Sequence, residues 1–155
     1  MDDITFRNAM GKFTTGVTVI TTQIKDDIHG MTANAFMSVS LNPKLITVSI
    51  DNRANMLNRM KDSSKFAVNI LSDQQQNISK HFAGQIKEEK QIDFSFLRET
   101  PIIKDSLASI VCTKKTSYTV GDHTLFIGEV IDITSSDGAP LTFYRGKYGM
   151  NSVVS

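Results

Sequence analysis

The sequence predicts a mainly β fold: a closed or partly open antiparallel barrel with a few short helices. Three observations predict it. β-Branched residues alternate over many short runs, turn chemistry separates those runs, and helical spacing of apolar residues is confined to brief stretches. A chain of 155 residues, 40% of them hydrophobic, is long enough to bury a core. No repeat, low-complexity tract or linker divides residues 1–155, so one domain is expected.

Asp2 and Asp3 precede Ile4, Phe6, Ala9, Met10 and Phe13 at mixed three- and four-residue spacing, which predicts a short helix over 4–13 with acidic residues at its positive end. TTGVTVITT (14–22), MTANAF (31–36), SVSL (38–41), KLITVSI (44–50) and KFAVNIL (65–71) read as strands, punctuated by KDD, LNP and DNR turns. Met56, Leu57 and Met60 have helical spacing between Asn55 and Ser64, and Ser72 is placed to cap a second helix from Asp73 to Phe82. From Ala83 to Pro101 the chain is polar and charged, with Phe94, Phe96 and Leu97 as its main apolar group, and reads as a long surface loop pinned by aromatics. SLASIVCTKKTSYT (106–119) and HTLFIGEVIDIT (123–134) flank Val120-Gly121-Asp122, which suits a hairpin, and LTFYR (141–145) is a last short strand.

Composition removes several function classes. Seventeen basic against 16 acidic residues, intermixed, give a formal net charge of +1 and no field for nucleic acid or anionic lipid. The longest apolar runs are strand-sized and the N-terminus opens MDDITF, so a soluble, cytoplasmic protein is expected. Cys112 is the one cysteine, and within SIVCTKK it reads as a small sheet residue. GKFTTGVT places Gly11 and Gly16 at the phosphate-loop interval, but Val17 stands where the lysine is needed. There is no GxGxxG, GxSxG or HExxH, and His29, His81 and His123 lie far apart in sequence, so a Rossmann unit, a hydrolase triad and a metal site are not expected.

What remains is MTANAFMSVSLNP, Met31 to Pro43, a strand-like stretch holding Thr32, Ala33, Asn34, Ala35, Ser38 and Ser40 where bulkier residues would bury more area. Two accounts fit. Small residues suit a sheet with one solvated face; they also let main-chain groups approach a flat polar ring, with the hydroxyls and Asn34 supplying directed hydrogen bonds.

FRNAMGKFTTGVTVITT, GMTANAFMSVSLNPKLITVSID, FAVNIL, HFAG, GDHTLFIGEV and PLTFYRGKY together, in order and spacing from about Phe6 to Tyr148, closely resemble the short-chain flavin reductases, the reductase partners of two-component flavin monooxygenases. The resemblance implies an FMN-binding split β-barrel of Greek-key type, a homodimer with flavin sites near the interface, and NAD(P)H:flavin oxidoreductase activity. It implies that Thr32, Ala33, Asn34 and Ala35 run along the isoalloxazine ring and that Ser38, Val39 and Ser40 continue toward the ribityl chain and phosphate. Ile50, Asp51, Asn52, Arg53 and Asn55, within SIDNRAN, correspond to the second flavin-contacting strand end and phosphate turn, with Arg53 a phosphate partner through charge-assisted hydrogen bonds. His81, Phe82 and Ala83 belong to the loop over the flavin, His123 to the nicotinamide side, and Tyr144, Arg145 and Tyr148 to the closing YRG..Y pattern.

The chain also departs from that pattern. Ala54 and Met56 stand where a hydroxyl is frequent in the phosphate turn, which leaves FMN against FAD open; Lys44 replaces a second proline after Pro43; LRETP (97–101) stands where a Gly-rich approach to a GxP motif is usual. The implied reaction is hydride transfer from nicotinamide C4, of NADH or NADPH, to flavin N5, for which orientation counts more than acid-base help. The alternative reading is a flavoredoxin-like electron carrier that retains FMN, and a third is a non-redox barrel for another planar ligand.

Overall fold

The computed structural model describes residues 1–86 and 91–149. The tail 150–155 and residues 87–90, which fall within the expected domain and the expected long loop, lie outside the described residues.

Helix α1 (Asp3–Met10) starts at Asp2, whose carboxylate accepts the Thr5 N–H at 2.7 Å, and ends at Gly11, short of the expected Phe13. None of its residues is buried. The strands follow as β1 (Thr15–Gly16), β2 (Thr18–Ile24), β3 (Asp27–Ala33), β4 (Phe36–Leu41) and β5 (Lys44–Asp51), then α2 (Asn55–Asp62) and β6 (Lys65–Ile70). Ser72 caps as expected: its Oγ accepts the Gln74 N–H at 3.3 Å and its own N–H donates to Gln75 Oε1 at 2.9 Å. This capping box opens a 3₁₀ turn, Asp73–Gln75, that runs into α3 (Gln76–Phe82).

Next come β7 (Phe94–Leu97), β8 (Thr100–Ile103), β9 (Ala108–Val120), β10 (His123–Ser135), β11 (Thr142–Tyr144) and β12 (Lys147–Tyr148). The β7–β8 hairpin corrects the loop expected over 83–101. Its turn, Arg98–Glu99, has both residues at positive φ (51° and 62°) without the Gly or Asn that marks such a turn in a sequence. Pro101 also reads against a strand, yet β8 is buried throughout because it packs on β2 and β6: Thr21 Oγ1 donates to Pro101 O at 2.6 Å.

Seven strands form one antiparallel sheet in the order β3-β2-β6-β9-β10-β5-β4. β3 and β4 are its two edges, yet only Asn34 and Ala35 separate them in the chain. The three Cα–Cα steps from Ala33 to Phe36 span at most about 10–11 Å by extended-chain geometry, about 3.3–3.6 Å per residue, so the sheet has to curl until its edges meet. The result is the expected split barrel, with its seam at Asn34–Ala35.

Alternation then sorts the side chains. Ile20, Val48, Ile50, Phe66, Val68 and Phe126 fill the barrel, and α2 plugs it with Met56, Leu57 and Met60. The opposite face of β2 and its neighbours carries Val17, Val19 and Leu71, covered by Ile103 and Leu141, so β2 is buried on both faces from Thr18 to Thr22. Cys112 is wholly buried, and burial pushes its thiol up to about 12, which fits a core residue. Among the described residues no helix is long and apolar enough to cross a membrane.

Candidate functional site

The seam is the first part of the site. An edge strand leaves alternate N–H and C=O groups unpaired, and here two edges face one another across a short link. The Ser49 N–H donates to Ala35 O at 3.0 Å, and Thr18 Oγ1 donates to Ala33 O at 2.7 Å, so the link is anchored on both sides. A cleft of about 330 Å³ opens beside it, lined by Phe13, Thr15, Asn34, Phe36 and Ile70 among others. Thr15 Oγ1 is buried without a hydrogen-bond partner among the described residues, and Asn34 is exposed. Aromatic walls with a few convergent polar groups suit a flat, largely apolar ring with a polar edge.

On β4 the ladder slips between Ser38 and Ser40, so Val39 is an extra, exposed residue in a bulge at the edge the resemblance assigned to the site. Ala33 and Ile50 are different: both lie in the barrel core, 9% and 0% exposed, so Ile50 offers a ligand its main chain only. The Thr32 hydroxyl is already committed, donating to Ser79 O at 2.6 Å.

The second part lies where β5 ends. Asp51 and His123 are cross-strand partners, and the Asn52 N–H donates to Asp122 O at 2.9 Å, which locks the Gly121–Asp122 hairpin to the 51–53 turn. Thr124 Oγ1 donates to Asn52 Oδ1 at 2.7 Å. Arg53 grips Asp51 three ways, through its N–H (2.8 Å), Nε (3.2 Å) and Nη2 (3.0 Å), and these hydrogen bonds hold the Asp51 carboxyl down to about 2. The guanidinium itself stays largely in solvent, with 86% of the side chain exposed, so it remains open to a second anion. His123 Nδ1 pairs with Asp122 Oδ1 at 2.7 Å, which lowers the Asp122 pKa. A cleft of about 460 Å³ joins Asp51, Arg53, Asp122 and His123 to Asp2 and to Asp3, Phe6 and Arg7 of α1. Asn55 is exposed at the first turn of α2, whose N-cap, Ala54, supplies no side-chain hydrogen bond.

The third part is the α3 wall. Ser79 Oγ and Tyr148 OH are 2.7 Å apart, which ties β12 to α3, and Phe143 packs edge-on against Tyr148 with ring centroids 5.2 Å apart. Phe82 lies over Gly30 of β3, His81 meets Phe82 edge-to-face at 4.9 Å, and Ala83 is exposed at the helix end. His81 Nδ1 is buried without a partner among the described residues. The folding thus brings Thr32, His81, Phe82 and Tyr148 to one wall, and Asp51, Asn52, Arg53 and His123 to one corner. Phe13, Thr15, Phe36 and Asp122 were missed: a threonine among threonines carries no signal until its hydroxyl is found buried and alone.

The flavin reductase like domain family matches residues 10–152. The chain belongs to this family. Over 145 residues it is 41% identical to the NADH-dependent flavin reductase of a Rhodococcus species, covering 92% of this chain and 82% of that one. It is 33% identical to the reductase component of 4-hydroxyphenylacetate 3-monooxygenase of Thermus thermophilus, covering 92% and 93%. Among solved structures, flavin reductase PheA2 superposes with a TM-score of 0.95 at 56% identity, covering 96% of this chain and 97% of that chain. The split barrel read from the sequence is therefore the fold of this flavin reductase.

Proposed function

We propose that the protein is an NADH-dependent flavin reductase that reduces FMN or FAD and releases it to a separate monooxygenase component; that one relative is named an NADH-dependent flavin reductase and another the reductase component of a monooxygenase supports the reading. The observation that carries the reading is the barrel seam, where edge main chain, an unpartnered Thr15 hydroxyl and Asn34 converge beside aromatic walls. Nicotinamide supplies the hydride and flavin accepts it; the protein's share is orientation. Thr15, Asn34 and the Asn34–Ala35 main chain hold the ring edge, and Ser38, Val39 and Ser40 continue the ledge. The turn from Asp51 to Asn55 meets the phosphate through Arg53. His81, Phe82, Ala83 and Tyr148 close the α3 side, and His123 positions the nicotinamide.

The working unit is a homodimer in the cytoplasm. Cross-strand partners share a face, so the outward side of β4, β5, β9 and β10 presents Met37, Leu45, Ile127, Leu125 and Tyr118 around Thr47. Met37 and Tyr118 are 58% and 57% exposed, and Thr47 Oγ1 is buried without a partner among the described residues.

Steady-state oxidation of NADH and NADPH with added FMN, FAD and riboflavin tests the reading. A protein that is colourless after desalting and turns over added flavin is expected. A yellow protein that keeps its FMN and does not turn over free flavin would make it an electron carrier, and no nicotinamide oxidation with any flavin would overturn the redox reading. Light scattering at micromolar concentration, with Tyr118→Glu as the control, tests the dimer.

A further inference from the structure

Resting on that reading, we infer that the basic cleft between the end of α1 and the β11–β12 turn is a subsite for the adenosine diphosphate moiety of a dinucleotide. The cleft holds about 500 Å³ and is lined by Arg7, Asn8, Gly11, Lys12, Arg145 and Gly146. Three cations meet there with no carboxylate among the described residues of the lining, in a chain whose formal net charge is only +1. None of the three is within ion-pair distance of an acidic group among the described residues.

Helix capping does not account for them. The carbonyls of Arg7, Ala9 and Met10 are met by the N–H groups of Gly11, Lys12 and Phe13, and Gly11 O accepts the Arg145 N–H at 2.9 Å. A helix end carries only about half a unit of negative charge, which one cation offsets.

The placement of Arg145 is built. It sits at φ 51° in the two-residue turn Arg145–Gly146, a conformation that favours Gly or Asn. Arg98 holds the same conformation at the β7–β8 turn, and its guanidinium is bound to Asp132 at 3.0 Å. Arg145 has no such partner among the described residues. Gly11 lets the turn come close: a Cβ there would sit 3.2 Å from Arg7 O and 3.6 Å from Arg145 Cα.

Arg7 lines both this cleft and the one that holds Arg53 and His123. The two clefts therefore adjoin at Arg7, so an NADH with its nicotinamide beside His123, or an FAD with its phosphate at Arg53, has the second cleft across the α1 ridge. The pyrophosphate of a dinucleotide carries two negative charges, which Arg7, Lys12 and Arg145 match by charge-assisted hydrogen bonds. FMN and nicotinamide mononucleotide lack this moiety, whereas NADH and FAD share it.

Calorimetric titration of ADP into the wild type, Lys12→Gln and Arg145→Gly tests the subsite; glycine keeps the positive φ of the turn, and circular dichroism confirms folding. Each variant is expected to weaken ADP about tenfold, the usual scale for losing one charged hydrogen bond. Comparing NADH with reduced nicotinamide mononucleotide, and FAD with FMN, identifies the source: in one pair the dinucleotide KM or Kd rises about tenfold while its mononucleotide moves less than twofold. No ADP binding to the wild type, unchanged binding by both variants, or no discrimination in either pair would overturn the inference. Failure of the flavin reductase reading shows separately, as absent nicotinamide oxidation with every flavin.

Discussion

The ring of Phe82 rests on Gly30: a Cβ built on Gly30 would lie 2.5 Å from Phe82 Cε1 and 2.7 Å from Cδ1. Two residues on, Thr32 bonds Ser79 O, so β3 carries α3 by one steric fit and one hydrogen bond. Gly30→Ala is expected to push the aromatic ring aside and cost about 1–2 kcal/mol, the scale of modest overpacking. Because Phe82 and His81 close the proposed flavin site, fluorescence-quenching titration should show flavin bound several-fold more weakly.

Gly128 makes the same kind of contact where nothing can give. Its Cβ would meet Cys112 Cβ and Phe66 Cζ, both at 2.7 Å, in the barrel core. Gly128→Ala should lower stability by about 2–3 kcal/mol in urea unfolding and leave the flavin affinity of the folded protein unchanged.

Asn69 is buried and fully engaged. It donates to Val19 O and Thr21 Oγ1, both at 3.0 Å, and accepts from the Ile103 N–H at 3.0 Å and Ser109 Oγ at 2.8 Å. Asn69→Ala strands several buried groups at about 1–3 kcal/mol each, so a loss of roughly 3 kcal/mol or more is expected. Hydrogen exchange at the Ile103 amide should accelerate more than at strands away from β8.

His123 stands on β10 beside Asp122, 42% of its side chain exposed. His123→Ala is expected to raise the KM for NADH about tenfold while the flavin Kd changes less than twofold. Equal losses of both would contradict its place on the nicotinamide side.

Asp51 titrates in a definite window. Its folded pKa, about 2, lies below the ordinary value of 3.8, so the stability it contributes is present above pH 3.8 and is lost as pH falls through 2. Carboxyl NMR titration should place its midpoint near 2 in the wild type and higher in Arg53→Ala, though still below 3.8, because the main-chain N–H of residue 53 continues to donate to the carboxylate. An unshifted midpoint in the wild type would mean that Arg53 does not hold Asp51 in solution.

How much of this was legible in the chain follows from the range of the interactions. Local rules reach a few residues. Asp2 and Ser72 announced helix starts, Gly121-Asp122 announced a hairpin, and Met56, Leu57 and Met60 announced the buried face of α2. The β7–β8 hairpin was not legible, because its turn uses Arg98 and Glu99 and its second strand begins on a threonine and a proline. What stabilises it is distant in sequence: Thr21 holding Pro101 O and Asn69 holding the Ile103 N–H.

For the site, the order of small and hydroxyl residues from Thr32 to Ser40 pointed to the stretch that forms the seam and the β4 edge, and the motifs pointed to Arg53 and His123. Sequence by itself determined the strand content, the helix caps and the family. Only the tertiary structure decided that the edges of a seven-stranded sheet meet at Asn34–Ala35, that Thr15 is left there without a partner, and that Arg7, Lys12 and Arg145 converge. The reason is physical. Pattern records which face a residue shows to its own neighbours, whereas barrel closure and charge convergence depend on contacts across the whole chain, which no local period encodes.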